Sequence, residues 1–478
     1  MDTEVLVVGA GPTGMAVANE LGLAGVSTVL VDKLPRRSEL SKAGGVQSRT
    51  LEALDQRGLL EPLLASGNYP ISAGHFAGMP FSLDFALHRL PWRSVPQVTI
   101  EGFLEQHLAT QGIHIRRDHE LVALDQDENG VTATFATGTA VRCRYLVAAD
   151  GAHSVARSLL GAEFPGRAGT ATVVSSDVRL SGVDHAMSHT WSADGHWVAL
   201  FPLGADEQGR PLFRLVLGGP GTSSLPRDVP VTEDELRAGL HTVLGPQVQL
   251  LELRYARRIT NASRQVAHYR HGRVFLAGDA AHVHLPIGAQ GMNTGIQDAF
   301  NLGWKLGAAV HGWAPESLLD TYHTERHPVG AAVLRNVRAQ SLLMDWAGTR
   351  DPDVSAVKDL FRSMVELPEV QRHLGDLLSG TSIRYPMAGT ETHPLVGRAA
   401  PDLDLGSTRV HELLRSGRGL LLDPDDRFAK VADLWSDRVD SVGQGADAML
   451  IRPDGYVCWA ADPDELEPAL VRWFGEPR

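Results

Sequence analysis

A glycine turn and three carboxylates at strand ends carry the chemistry that this sequence allows. The turn is Gly9-Ala10-Gly11-Pro12-Thr13-Gly14, set between an apolar run at 5–8 and a helical spacing over 15–24. A second run, 27–31, ends at Asp32. A lone G-x-G-x-x-G is a weak signal. A strand before it, a helix after it and an acid closing the next strand make it specific for a dinucleotide. Gly9 permits the tight turn, Gly11 lets a pyrophosphate approach the backbone, and Gly14 lets the helix pack on the sheet. The helix amides and dipole offset phosphate charge, and Asp32 can accept hydrogen bonds from a ribose. NAD and FAD share this turn, so it does not choose between them.

The run 145–149 ends in Asp150-Gly151, with Ser154 and Arg157 behind it. By itself this reads as a turn and a capped helix. The run 274–277 ends in Gly278-Asp279, then a loop with Pro286, Gly288 and Gly291, then a helical pattern. Open α/β sheets bind ligands outside the carboxyl ends of their strands, so the three acids are expected to converge on one crevice.

The elements that must hold these residues are legible in outline. Residues 49–64 read as one amphipathic helix, and 99–111 as another with Glu101 in its first turn, where a carboxylate suits the dipole. Short strands are expected at 113–115, 121–125 and 131–135. Between 170 and 264, stretches such as "VVSSDVRL", "HWVALFPL" and "LFRLVL" alternate, which predicts an antiparallel sheet. Gly303 and Gly307, four apart, suit close helix packing. Residues 315–346 are largely helical, with Pro328 as a break. A last α/β segment starts at His393 and ends in "AMLIRPDGYVCWA", a strand-turn-strand with Pro453-Asp454-Gly455 at the turn.

Composition excludes several classes. Net charge is −13 with no acidic run, which argues against nucleic acid and anionic membrane as partners. No apolar stretch of about 20 residues is uninterrupted, so no membrane span is expected. Asp2 and Glu4 replace the basic start of a signal peptide. Cys143 and Cys458 are the only cysteines, and no C-x-x-C exists; a reducing, cytoplasmic setting follows. His282 and His284 lack further ligands at suitable spacing, so no metal is expected.

In order and spacing, Gly9-x-Gly11-x-x-Gly14, Asp150-Gly151-x-x-Ser154-x-x-Arg157 and Gly278-Asp279-Ala280-Ala281-His282 resemble the single-component FAD-dependent aromatic hydroxylases, the para-hydroxybenzoate hydroxylase superfamily. "GHFAGMP", "AHVHLPIGAQGMNTGIQDAFNLGWKL", "ERHPVGAAVL" and "LIRPDGYVCWA" look most like actinomycete aromatic-polyketide hydroxylases of the angucycline type, with rifampicin monooxygenases as cousins. The resemblance spans the chain. It implies an α/β protein with a Rossmann-like FAD-binding domain (1–75, 97–170 and 266–345), an inserted antiparallel-sheet substrate domain (76–96 and 171–265), a helical connector (346–392) and a C-terminal thioredoxin-like domain without C-x-x-C (393–478).

The resemblance also implies FAD as cofactor, NAD(P)H as a transient reductant, and O2 and a polycyclic phenol as substrates. Oxygen would pass to a ring carbon through a flavin C4a-hydroperoxide. Cofactor contacts are expected from Gly9, Gly11, Pro12, Thr13, Gly14, Asp32, Lys33, Lys42, Arg49, Gln97, Leu121 and Asp150. Asp279 would meet the ribityl chain. Pro286 would lie between isoalloxazine and substrate, and Gly291, Met292 and Asn293 would present backbone groups to the N1 edge, where reduced flavin carries negative charge. His75, Trp191, Phe201, Phe213 and Pro286 are expected in the substrate pocket, although each aromatic taken singly suits core packing. No general base is identified, and no second G-x-G-x-x-G exists for NAD(P)H.

Four rivals share the motifs. A Baeyer–Villiger oxygenase would use the same scaffold, and a rifamycin-inactivating monooxygenase the same chemistry. A flavin halogenase would carry W-x-W-x-I-P, but Trp191 and Trp197 are six apart. A non-catalytic flavin-binding partner would bind FAD and oxidise no NADPH.

Overall fold

The computed structural model describes every residue except 42, 67, 84–89, 184–188, 194, 206–207, 316, 345–350, 388–392, 446 and 478. Its largest sheet runs in the order Arg270–His271, Val274–Leu276, Ala140–Ala148, Thr3–Val8, Thr28–Val31, Ile115–Arg116. The five strands after Arg270–His271 are parallel. Val131–Phe135 and Leu121–Gln126 extend it antiparallel from Ala140–Ala148. The central strands read as near-continuous apolar runs because helices cover both faces. Register sets the function: Val8 lies level with Val31 and with Ala148, and Ala148 with Leu276. The chain segments carrying Asp32, Asp150 and Asp279 therefore leave one edge of the sheet side by side.

Helix α1 (Pro12–Leu23) follows the glycine turn. A Cβ on Gly303 would collide with Glu20, and one on Gly307 would lie 2.8 Å from Ala24 Cβ. The two glycines thus let a later helix lie close against α1, as their spacing suggested.

The second sheet has the order His189–Ala193, His196–Ala205, Pro211–Gly218, Thr172–Ser181, Gln249–Thr260, antiparallel throughout. One face packs on helix α2 (Glu233–Leu244), which the sequence reading missed. The other packs on Leu285, Ile287 and Val337. A third sheet, Val439–Val442, Gly419–Leu422, Met449–Ile451, Val457–Ala460, forms the C-terminal unit, with 453–455 at the expected hairpin turn. The chain is an α/β protein of the architecture the resemblance implied. Cys143 and Cys458 are both buried and unpaired.

Three local expectations are corrected. Residues 49–64 form two helices, Ser48–Asp55 and Leu60–Leu64, because Gly58 takes φ +70° between them. The helix expected at 99–111 starts at Gln97, after Pro96, so Glu101 falls in its second turn and accepts from Gln97 Nε2 (2.6 Å). Pro328 does not end a helix. It lies inside α4 (Thr321–Leu343), which runs on through it, with Glu325 and Arg326 buried and ion-paired one turn earlier. Tertiary anchoring outweighs the missing amide.

Candidate active site

The glycine turn is built as its spacing requires. Gly9 has φ +105°, and a Cβ there would collide with Ala149 carbonyl oxygen. A Cβ on Gly14 would collide with Gly9 carbonyl oxygen. Gly11 is different: nothing lies within 4 Å of a Cβ built there, so its side of the turn is open. Asp32 closes the turn from the next strand. Ala10 N–H donates to Asp32 Oδ2 (2.8 Å) and Leu34 N–H to Oδ1 (2.8 Å). Both bonds orient the carboxylate and leave lone pairs to spare. Lys33, beside it, is exposed.

Asp150 leaves the adjacent strand. Ala156 N–H donates to Asp150 Oδ2 (3.1 Å), while Oδ1 is buried without a partner. Ser154 caps the following helix by accepting from Arg157 N–H (3.0 Å). Arg157 Nη1 then donates to Ala280 carbonyl oxygen (3.0 Å), tying this segment to the Asp279 turn.

The Asp279 turn, Gly278–Ala280, hangs from a buried network that no motif announced. Asp298, on α3 (Gln290–His311), accepts from Gly278 N–H (3.1 Å) and from His282 Nε2 (2.9 Å) through Oδ2. Its Oδ1 accepts from Arg326 Nε (2.7 Å). Burial opposes the charge of Asp298, but Arg326 and His282 outweigh it and hold the carboxyl below its ordinary range. Gly278 and Ala280 are buried and Asp279 between them is exposed. A Cβ on Gly278 would lie 2.6 Å from Thr13 Oγ1, so the third acid abuts the first glycine turn.

The loop from Pro286 joins this turn to α3. Pro286 is exposed, Ile287 is buried against the second sheet, and Gly288 (φ +70°) and Ala289 (φ +55°) turn the chain into the helix. No side chain caps α3. Its first amides and positive dipole end suit negative charge. A Cβ on Gly291 would lie 3.6 Å from His284 Nε2 and 4.0 Å from Asp279 Oδ1, so the helix start and the exposed acid share one spot. Asn293 spends its side chain on scaffolding: Nδ2 donates to Gly45 (3.0 Å) and Ala289 (2.7 Å) carbonyls, and Oδ1 accepts from Gln47 N–H (3.0 Å). Gln47, also unanticipated, donates from Nε2 to Gly288 carbonyl oxygen (2.8 Å).

The remaining expected residues divide. Gln97 begins its helix, its amide bound to Ser41 Oγ (2.9 Å). Leu121 is buried at the start of its strand. Met292 is half-buried at the start of α3. His75 and Phe201 face each other with ring centroids 6.0 Å apart, on the side of the second sheet that meets Ile287. Phe213 is corrected: it points to the opposite face and packs under α2 with Leu236 and Leu240. Arg49 is corrected too. Its side chain is 2% exposed, donates to Asp454 carbonyl oxygen (2.9 Å) and lies over the Tyr456 ring, facing the C-terminal unit rather than the crevice. Lys42 and the Trp191 side chain lie outside the described residues.

The open glycine turn, the exposed carboxylate and the uncapped helix start fit an extended flavin dinucleotide along one sheet edge. Comparison with known proteins agrees. The family described as FAD binding domain matches residues 2–337, and that described as aromatic-ring hydroxylase, C-terminal, matches 393–477. A 12-dehydrotetracycline 5-monooxygenase/anhydrotetracycline 6-monooxygenase of Streptomyces rimosus is 41% identical, with both chains covered in full (100%). A rifampicin monooxygenase of Streptomyces venezuelae is also 41% identical, over 99% of this chain and 98% of its own. The solved structure of an aromatic hydroxylase from angucycline biosynthesis superimposes with a TM-score of 0.88 at 35% identity, covering 100% of both chains.

Proposed function

The chain belongs to the FAD-binding aromatic-ring hydroxylases, and from that membership and the crevice geometry we propose that it hydroxylates a polycyclic phenol of the aromatic-polyketide type. It is a flavin-dependent monooxygenase with FAD as cofactor and NAD(P)H as reductant. The observation that carries the finer reading is the loop 286–289, which lies between the sheet edge bearing Asp279 and the sheet face bearing Phe201. A ring system resting on that face would meet the flavin across this loop.

Bound FAD supplies the oxygen-transfer chemistry once reduced and met by O2; the protein supplies orientation, charge and a dry pocket. In this reading Gly11 and the first turn of α1 face the pyrophosphate, and Asp32 the adenosine ribose. Asp150 and Asp279 line the path between them and the flavin, with Asp279 on the ribityl chain. The amides of Gly291, Met292 and Asn293 face the flavin's electron-rich edge. Pro286 and Phe201 bound the substrate. We place the protein in the cytoplasm, where its two buried free thiols would persist. No helix among the described residues is long and apolar enough to cross a membrane.

The purified protein is expected to show a flavin spectrum, and anhydrotetracycline, angucycline-type phenols and rifampicin form the panel to screen for stimulated NADPH oxidation. Product NMR separates a ring hydroxyl from a lactone. Failure to take up FAD when supplied, or oxidation at background with every phenol, would overturn the reading. Asp279→Ala is expected to weaken FAD binding about 10- to 100-fold, the worth of one hydrogen bond to a charged group. Titration of the apoprotein with FAD measures it, and an unchanged Kd would remove Asp279 from the ribityl role.

A further inference from the structure

The imidazole of His75 has no hydrogen bond among the described residues, and its Nδ1 is buried without a partner. Such orphans are uncommon, because an unmade buried hydrogen bond is costly, and each calls for an explanation. The hairpin Ala73–Phe76 and Met79–Ser82 determines where this one points. Side chains alternate along a strand, and Phe76 turns to the helix Pro352–Val365, its ring 5.0 Å from that of Phe361. His75 therefore faces the other way. There it meets Phe201, which packs against the apolar cluster that contains Leu285 and Ile287 of the loop before α3. Burial alone pushes the imidazole down to about 4, and no charged group contributes. At neutral pH the ring is neutral and keeps one nitrogen lone pair as an acceptor.

We propose that His75 is the acceptor for a ring hydroxyl of the substrate, holding a phenol or enol O–H on the sheet face that carries Phe201. The assignment rests on the polycyclic-phenol reading above. No proton is transferred in the ground state. The shared proton raises electron density on the hydroxyl oxygen and fixes which ring carbon lies toward the loop at Pro286. A site that hydrogen-bonds a hydroxyl discriminates sharply against an analogue unable to donate, because its own polar group is then left unpaired.

The test compares 2,6-dihydroxyanthraquinone, whose hydroxyls lie away from the ring carbonyls and are free to donate, with its dimethyl ether, each titrated into the FAD-loaded full-length protein and followed by the flavin spectrum. Wild type is expected to prefer the phenol at least about tenfold. His75→Phe should keep the ether's Kd within about twofold while losing the preference for the phenol. His75→Gln, which retains an acceptor, should recover part of that preference, and FAD content checks that both variants fold. Equal loss of both ligands in His75→Phe, or a preference that survives it, overturns the His75 assignment alone. Wild type that binds neither ligand overturns the polycyclic-phenol reading and this assignment with it.

Discussion

Asp298→Asn is expected to destabilise the protein by about 3–5 kcal/mol and to release FAD with it. The carboxylate and Arg326 are each 0% exposed and joined at 2.7 Å. Arg326 has other partners, Tyr385 hydroxyl (3.0 Å) and Thr294 carbonyl oxygen (3.0 Å), but both are neutral. Asparagine keeps the shape and removes the charge, so a buried guanidinium is left without a counter-ion. That penalty is far larger than the net worth of the pair. The cofactor suffers because the same carboxylate holds Gly278 N–H and His282, and thereby the turn that presents Asp279. Thermal unfolding and FAD titration of the variant measure the two effects. Adding Arg326→Met should recover part of the stability, since both charges are then gone. A single variant within 1 kcal/mol of wild type would show that the network is not a support of the crevice.

Glu325→Gln is the second large effect. Glu325 precedes Arg326 on α4 and faces the C-terminal unit. Arg452 donates to both its oxygens (2.6 and 2.9 Å), and Lys305 Nζ to one (2.8 Å). Arg452 also pairs with Asp454 in the hairpin turn. Pro453 carbonyl oxygen accepts from Arg57, which is paired with Glu20 of α1 (2.7 Å). The C-terminal unit is thus fastened to the cofactor domain by buried charge as well as by apolar contact. Removing the Glu325 charge leaves Lys305 and Arg452 sharing Asp454, at an expected cost of about 3–5 kcal/mol.

The pH response has a defined sign. Burial opposes ionisation of Glu325, but Arg452 and Lys305 prevail and hold it at about 2, below its ordinary 4.5. The unfolded chain takes up this proton first, so the stabilisation is complete above about pH 4.5 and is lost as pH falls toward 2. Urea midpoints for wild type should drop steeply across that window, and those of Glu325→Gln should drop less. Parallel curves would assign the acid loss to other groups.

Much of this site was legible because its determinants are local. The glycine turn and Asp32 belong to one βαβ unit, and the bond from Ala10 N–H to Asp32 closes within it. The role of Gly9 is likewise backbone geometry that spacing alone predicts. That Asp279 would join the same crevice followed from its place at a strand end, whereas its ribityl role came from a family resemblance, and the contact of Gly278 with Thr13 was visible only in the fold. Arg49 misled for a related reason: Gln47, two residues before it, is bonded to Gly288 and Asn293 at the start of α3, while the Arg49 side chain is captured by Asp454 and Tyr456. Pro328 and Glu101 misled because a helix's true extent is decided by what it packs on.

Sequence by itself determined the turn, the strand–helix–strand order of the first βαβ unit, the acids at strand ends and the absence of a C-x-x-C, because these depend on residue type and short spacings. It also determined that Phe201 and Phe213 lie on alternating strands. Only the tertiary structure decided that Phe201 looks to the loop at Ile287 and Phe213 to α2. The same holds for Asp298, which binds Gly278, His282 and Arg326 from three separate segments. Alternation supplies two faces without saying what covers each, and a buried charge takes its partner from whichever segment folding brings near. Both choices follow from the packing of the whole chain, where burial makes the right partner obligatory.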